Sequence, residues 1–306
     1  MHPGWRVVDF SDFNGQLRYS RGQLLVEPES SPKTVLPLSQ IAVVLVGTKT
    51  TLSGALLQKF SEYDIAVLVC DWRRIPIAGA LPWNNHSRIG ARHKAQAELS
   101  VPKNKQAWAR IIKAKIYGQA KVLHSTNYSP KSDELFELSR SVRSGDPDNK
   151  EGLAARKYWS AISGSISFHR LPGTGADTWN SALDYGYTLL RGYGMRACTS
   201  AGLSGALGLF HKERSNAFAL VDDLMEPFRP MVDQIVFNSI EPNGDFDRPD
   251  KQLLSTGLDG AFSKDGRTLS TVFNDFAQHY GNYVEGRVKD LNVPRWEGSI
   301  DAIEGL

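Results

Sequence analysis

The residues best suited to chemistry lie in "LFHKERSNAFALVDDLMEPFRPMVDQIVF", from Leu209 to Phe237. This stretch holds His211, Asp222, Asp223 and Glu226, with prolines at 227 and 230. One imidazole beside hard carboxylate oxygens suits Mg²⁺ or Mn²⁺. Such a cation neutralises a phosphodiester and activates the oxygen that attacks it. A further carboxylate, Glu151, follows the turn "GDPDNK" at the start of the helical-looking "EGLAARKYW". Each of these residues also has a plainer explanation. An acid in a first helical turn, as Glu151 would be, is stabilised by the helix dipole. Asp223 and Glu226 have the D-x-x-E spacing of a capping box, with Asp223 as N-cap and Pro227 in the first turn, where a missing N–H costs least. A lone histidine after the apolar "SGALGLF" is ordinarily a hydrogen-bonded structural residue, although Lys212 and Arg214 beside it favour an anion.

These side chains need elements to hold them. Leu220, Leu224, Phe228, Val232 and Val236 recur every fourth residue, which predicts a buried helical face. In one continuous helix His211 and Glu226 would stand about 22 Å apart. Shared chemistry therefore requires a break, and "KERSN" offers one, with Ser215 or Asn216 capping the next helix. Up to Cys70 the chain reads as β-rich. "WRVVDF", "QLRYS", "QLLVEP" and "KTVLPL" are short strands, and "IAVVLVG" and "IAVLVCD" are apolar enough to be buried on both faces. Between those two, "TLSGALLQKFSEYD" has helical spacing, so the N-terminal domain is a small sheet with one helix leaning on it. It ends near "RRIPIAGALPWNNH", which gives domains of 1–87 and 88–306. The second domain reads as helical, broken by turn chemistry at "GDPDNK", "RLPGTGAD" and "IEPNGDFDRPD".

Composition narrows the function classes. The chain has 306 residues, 41% of them hydrophobic, enough for one large domain or two ordinary ones with real cores. No basic segment precedes an apolar one at the N-terminus, so no signal peptide is expected, and the run "IAVVLV" is far too short to span a bilayer. Cys70 and Cys198 form no C-x-x-C, which fits a reducing cytoplasm and argues against a zinc ribbon. There is no G-x-x-x-x-G-K-[ST], no G-x-S-x-G and no paired-histidine spacing, so P-loop, serine-hydrolase and dedicated zinc chemistry are set aside. The net charge of +3 hides a concentration: nine Lys or Arg against one acid between Arg88 and Lys121. That is the footprint of a polyanion-binding surface or of a solvated helix face. Arg88, Arg92 and Lys94, with Lys212, Arg214 and Arg229 near the acidic stretch, are the candidate DNA contacts.

Three ordered motifs carry a resemblance. They are E-G-x-A-A-x-x-Y-[WF] at Glu151, N-x-x-L-x-Y-G-Y at Asn180, and D-L-M-E-P-F-R-P at Asp223. With "LSQIAVVLVGTKTTLSGALLQKFSEYDIAVLVCDWRRIPIAGALPW" and "GALGLFHKERSNAFALVDDLMEPFRPMVD", the chain resembles protein one of the CRISPR adaptation systems, a metal-dependent DNA endonuclease and integrase. C-D-x-x-R-x-P and D-L-M-E-P-F-R-P look most like the type II branch. The resemblance implies an α+β fold, with a small N-terminal β-sandwich-like domain followed by a larger all-helical catalytic domain. It implies that Glu151, His211 and Glu226 bind Mg²⁺ or Mn²⁺ and are catalytic, with Asp223 beside or in place of Glu226. Many type II relatives carry a second histidine where this chain has Phe210. The implied activity is spacer acquisition: 3′-hydroxyls of double-stranded prespacer DNA attack the CRISPR repeat, by transesterification and without ATP. The implied partners are a second copy, making a homodimer through the N-terminal domain, and a small second adaptation protein; the apolar strands "IAVVLVG" and "IAVLVCD" offer that homodimer a sheet to pair or pack with its copy. A type II effector nuclease and an accessory protein join them, in the cytoplasm. Two competing readings are a branched-DNA repair nuclease using water as nucleophile, and a non-catalytic basic DNA-binding scaffold whose acids only cap helices.

Overall fold

A computed structural model of the chain describes residues 5–72, 76–82, 86–125, 129–164, 168–211 and 213–298. The N-terminal part contains β1 (Arg6–Phe10), β2 (Gly15–Ser20), β3 (Gln23–Pro28), β4 (Thr34–Pro37), β5 (Ile41–Val46), β6 (Thr50–Leu52), α1 (Gly54–Glu62), β7 (Ala66–Cys70) and β8 (Pro76–Ala80). They make two four-stranded sheets, ordered β1-β5-β7-β8 and β4-β3-β2-β6. Within the first, β1, β5 and β7 run parallel and β8 returns antiparallel. Parallel neighbours need a crossover, and α1, capped by Ser53 accepting from the Leu56 N–H, lies in the one that leads to β7.

The period of two along a strand explains why β5 and β7 are apolar throughout. Val44, Val46 and Val67 share a core with Leu17, Leu24, Leu56 and Phe60 from the other sheet and α1, which makes the two sheets a sandwich. Val43, Leu45, Ala66 and Leu68 belong to the core of the helical part. Both strands are therefore internal, with neighbours on each side. This corrects the expectation that they pair or pack with a second copy: their backbone groups are already taken and both faces are covered. The open edges are β1 and β8 in one sheet, β4 and β6 in the other.

The helical part contains α2 (Ile89–Ala97), α3 (Val101–Ser125), α4 (Ser129–Ser141), α5 (Lys150–Ser163), α6 (Thr178–Ser200), α7 (Ala219–Leu224), α8 (Arg229–Ser239), α9 (Arg248–Leu258) and α10 (Leu269–Val284). Helix α6 joins it to the sandwich. At Gly192 a Cβ would stand 2.9 Å from Val43 Cγ1, so glycine lets the helix lie directly on the sheet. Tyr193 donates to the Trp5 carbonyl at 2.6 Å, Tyr185 to Asp9 at 2.8 Å, and Arg196 Nε to the Asp64 carbonyl at 2.6 Å. One stretch read as turn throughout is only partly so. In "IEPNGDFDRPD", Asp247 and Asp250 form a capping box and Pro249 sits in the first turn of α9. Among the described residues no helix is long and apolar enough to cross a membrane.

Candidate active site

Glu151 sits in the first turn of α5. That turn is already capped without it. Asn149, in the left-handed region at φ 49°, accepts from the Gly152 N–H, and Asp146 accepts from the N–H groups of Lys150 and Glu151 at 2.8 and 2.9 Å. The Glu151 carboxylate is left to reach Lys115 on α3, Oε1 to Nζ 2.7 Å.

The stretch from Leu209 to Phe237 is broken, as shared chemistry requires. Irregular chain after α6 leads into α7, a 3₁₀ turn at Glu226–Phe228, and α8. The every-fourth-residue stripe survives the breaks, for Leu220, Leu224, Phe228, Val232 and Val236 are all fully buried. The capping box does not form. Asp223 lies inside α7, not at its start, and no side chain caps the Glu226 turn. Asp223 instead folds the preceding loop. Its buried carboxylate accepts the N–H groups of Leu209, Phe210 and His211 at 2.5, 3.0 and 3.3 Å, and meets His211 Nδ1 at 2.7 Å. Gly208 permits this turn, since a Cβ there would lie 2.9 Å from Asp223 Oδ2 and 2.5 Å from the His211 carbonyl. Neither Ser215 nor Asn216 caps the next helix, as the sequence led one to expect: the N-cap of α7 is Phe218, without a side-chain cap, and Asn216 accepts from the Phe218 N–H just ahead of it.

The break brings Glu226 to the cation that Glu151 reaches. Lys115 Nζ stands 2.6 Å from Glu226 Oε2, and Arg229 Nε 3.0 Å from Glu226 Oε1. Burial alone would push the Glu226 carboxyl up, but Arg229, Lys115 and His211 together hold it below the ordinary carboxylate range. Burial likewise opposes the Lys115 ammonium, and Glu226 and Glu151 overcome it. The hydrogen bond to Asp223 raises the His211 imidazole above its ordinary value, with Glu226 adding to the effect. Behind these groups the Arg229 guanidinium lies 4.7 Å over the Tyr187 ring, and buried Asp233 accepts from the hydroxyls of Tyr158 and Tyr187. Burial pushes Asp233 up to about 6.

Glu151, His211 and Glu226 are thus drawn into one region, and Asp223 holds His211. The donor types fit a hard divalent cation: two carboxylates already converge on one positive charge, and with Nδ1 held by Asp223 the imidazole has Nε2 left to offer. They do not form a closed cage. Among the described residues no three His, Cys, Asp or Glu side chains gather closely enough to hold a metal, and Lys115 lies between the two carboxylates.

The basic candidates divide. Arg92 is buried, 3% exposed, and donates to the Ala201 carbonyl and Gln278 while contacting Glu285, so it is an internal tie and cannot face DNA. Arg229 is the counter-ion of Glu226. Arg88 is half-exposed but paired with Glu285 at 2.7 Å. Lys94 and Arg214 are exposed; Lys212 lies outside the described residues. Much of the charge between Arg88 and Lys121 is neutralised within the chain, through Arg88, Arg92, Lys94, Arg110, Lys115 and Lys121.

Sequence reasoning missed Lys115 as a site residue. Its signal was present, for it stands four residues after Ile111 and four before Gln119, both buried, so a lysine occupies a core-facing stripe. Trp108 was also missed; it is buried and stacks on Phe210, centroids 4.4 Å apart, beside His211.

Comparison with known proteins bears on the family and the fold. The model of the family CRISPR associated protein Cas1 matches residues 11–257. The CRISPR-associated endonuclease Cas1 of Neisseria meningitidis serogroup C (strain 8013) is 37% identical over 238 residues, 78% of this chain and 76% of that protein. A casposase bound to integration product shares the fold at TM-score 0.77 and 21% identity, over 98% of this chain and 96% of that one. The chain of a Cas6-RT-Cas1–Cas2 complex does so at TM-score 0.73 and 18% identity, over 98% of this chain and 37% of that one.

Proposed function

The chain belongs to the CRISPR associated protein Cas1 family, and from that premise we propose that it is a DNA endonuclease and integrase of CRISPR adaptation that joins prespacer ends to the repeat by transesterification. One observation carries the reading: Glu151 of α5 and Glu226, from the turn before α8, converge on a single positive charge with His211 alongside. Glu151, Glu226 and His211 Nε2 would hold Mg²⁺ or Mn²⁺. When bound, that ion would neutralise the phosphodiester under attack and stabilise its leaving oxygen.

The chain's own residues prepare this. Asp223 fixes the imidazole's orientation and leaves Nε2 as the coordinating nitrogen. Arg229 keeps Glu226 ionised although it is only 4% exposed. In the reaction the prespacer 3′-oxygen forms a bond to phosphorus as the 3′-oxygen of the repeat strand leaves. The proton lost by the attacking hydroxyl is matched by one taken up by the leaving oxygen. One phosphodiester replaces another, so no ATP is needed.

The partners in this reading are double-stranded DNA and the small second adaptation protein. A casposase bound to integration product and a Cas1–Cas2 complex share the fold and support both. The reading also includes a homodimer formed through the N-terminal domain, a cytoplasmic setting, and the type II effector nuclease with its accessory protein. Edge strands β4 and β8, with exposed Val35 and Ile77, are the surfaces that favour such a dimer. The test is substitution of the three donors. Glu151→Gln, His211→Ala and Glu226→Gln should each abolish joining while the protein still folds and binds DNA. Near-normal joining by any one removes that residue from the site.

A further inference from the structure

We infer that Lys115 is the site's resident counter-ion, which holds Glu151 and Glu226 together in the metal-free protein and which a divalent cation must displace in order to bind. The inference rests on the metal reading proposed above. Lys115 Nζ lies 2.7 Å from Glu151 and 2.6 Å from Glu226, and its side chain is only 13% exposed. A point charge in that position neutralises the carboxylates that would attract a divalent ion.

The way it is held favours displacement. The Glu151 contact is a hydrogen bond. The Glu226 contact is close but unaligned: Oε2 is buried and receives no directed hydrogen bond, and Arg229 Nε, 3.0 Å from the other oxygen, donates none either. Glu226 Oε2 is thus held by the charge of Lys115 more than by an aligned bond. A buried carboxylate oxygen without a directed donor is open to a ligand that approaches along its lone pair. The ammonium is a compact charge on a flexible four-carbon stem. It can leave by rotation of that stem, without any movement of α3. Metal affinity in this protein is then set by competition with a tethered cation as well as by donor identity.

The test uses the full chain. Mn²⁺ is titrated calorimetrically into metal-free wild type and Lys115→Met. The variant should bind about tenfold more tightly or better, a factor equal to about 1.4 kcal/mol. In EDTA its melting temperature should fall below that of wild type, because buried Glu226 and half-buried Glu151 lose a shared partner, and Mn²⁺ should raise it by more than it raises the wild type. If the variant does not fold, the wild type still decides. Amine-reactive labelling read by mass spectrometry should find Lys115 protected in EDTA and labelled in Mg²⁺. Equal or weaker Mn²⁺ binding by the variant, or Lys115 labelling that Mg²⁺ leaves unchanged, overturns the inference while the metal site stands. Absence of Mn²⁺ binding by the wild type refutes the metal site itself.

Discussion

Replacing Asp223 by Asn tests how the His211 loop is built. The carboxylate accepts from the N–H groups of Leu209, Phe210 and His211 and from the imidazole Nδ1. A hydrogen bond to a charged acceptor contributes about 1.5–3 kcal/mol net. Asparagine keeps one acceptor oxygen, and its NH₂ must face donors on the other side, so about half of these bonds cannot form. Relaxation of a loop that reaches solvent offsets part of this, and the expected destabilisation is about 3 kcal/mol, read as a fall in urea midpoint. The second readout is pH. Asp223 raises the His211 pKa, so the stability contributed by the protonated imidazole is present below its unfolded value of about 6.5 and is lost as pH rises through the higher folded value; burial raises the Asp223 carboxyl, so the comparison is made above the carboxylate range. The difference between variant and wild type should therefore be larger at acid than at alkaline pH. Metal and proton compete for Nε2, so the acid limb of the wild-type joining rate should lie above about 6.5, recover with added Mn²⁺, and move back toward about 6.5 in Asp223→Asn. An unchanged midpoint together with an unmoved acid limb would refute the positioning role.

Other outcomes follow from the same contacts. Charge neutralisation of Lys94 and Arg214 should lower the salt dependence of DNA binding, the log–log slope falling by roughly 0.9 for each phosphate that is no longer neutralised; an unchanged slope places them in solvent. Arg92→Ala should leave that slope alone and destabilise the fold by about 3 kcal/mol, because it leaves the Ala201 carbonyl and Gln278 without their charged donor and opens a cavity, Glu285 keeping Arg88; thermal melting beside the salt titration separates the effects. Mg²⁺ or Mn²⁺ should support joining and zinc should not, since the site offers two carboxylates and one imidazole; equal rates with zinc would contradict that donor set. The double variant Val35→Lys, Ile77→Lys should be monomeric by light scattering at concentrations where wild type is dimeric, because edge lysines block strand pairing; a dimer in both locates the contact elsewhere.

What could be read from residue order was whatever depends on near neighbours. Continuous apolar runs marked β5 and β7, and the four-residue stripe from Leu220 to Val236 marked one buried face even though a 3₁₀ turn interrupts it. Strands β6 and β8 escaped because three residues, or five containing Pro76 and Gly79, carry too little pattern. The charged residues were least legible, since charge type does not reveal burial. Arg92 looked like a DNA contact until its partner Gln278, far along the chain on α10, was in view. Asp223 and Glu226 have the spacing of a helix cap, and only the tertiary fold sends one to His211 and the other to Lys115. Lys115 is one positive charge among nine in the sequence, although it faces the core from a helix whose neighbouring stripe is apolar.

The most direct measurement incubates the protein and its small adaptation partner with a short duplex bearing 3′-hydroxyl ends and a supercoiled plasmid carrying the repeat, with Mg²⁺, Mn²⁺ or EDTA, and separates the strands. Duplex covalently joined at the repeat edges is expected with either metal and none in EDTA. Cut plasmid without joined product would show that water is the nucleophile. DNA binding equal in EDTA, with no strand changed under any condition, would show that the carboxylates serve only the fold.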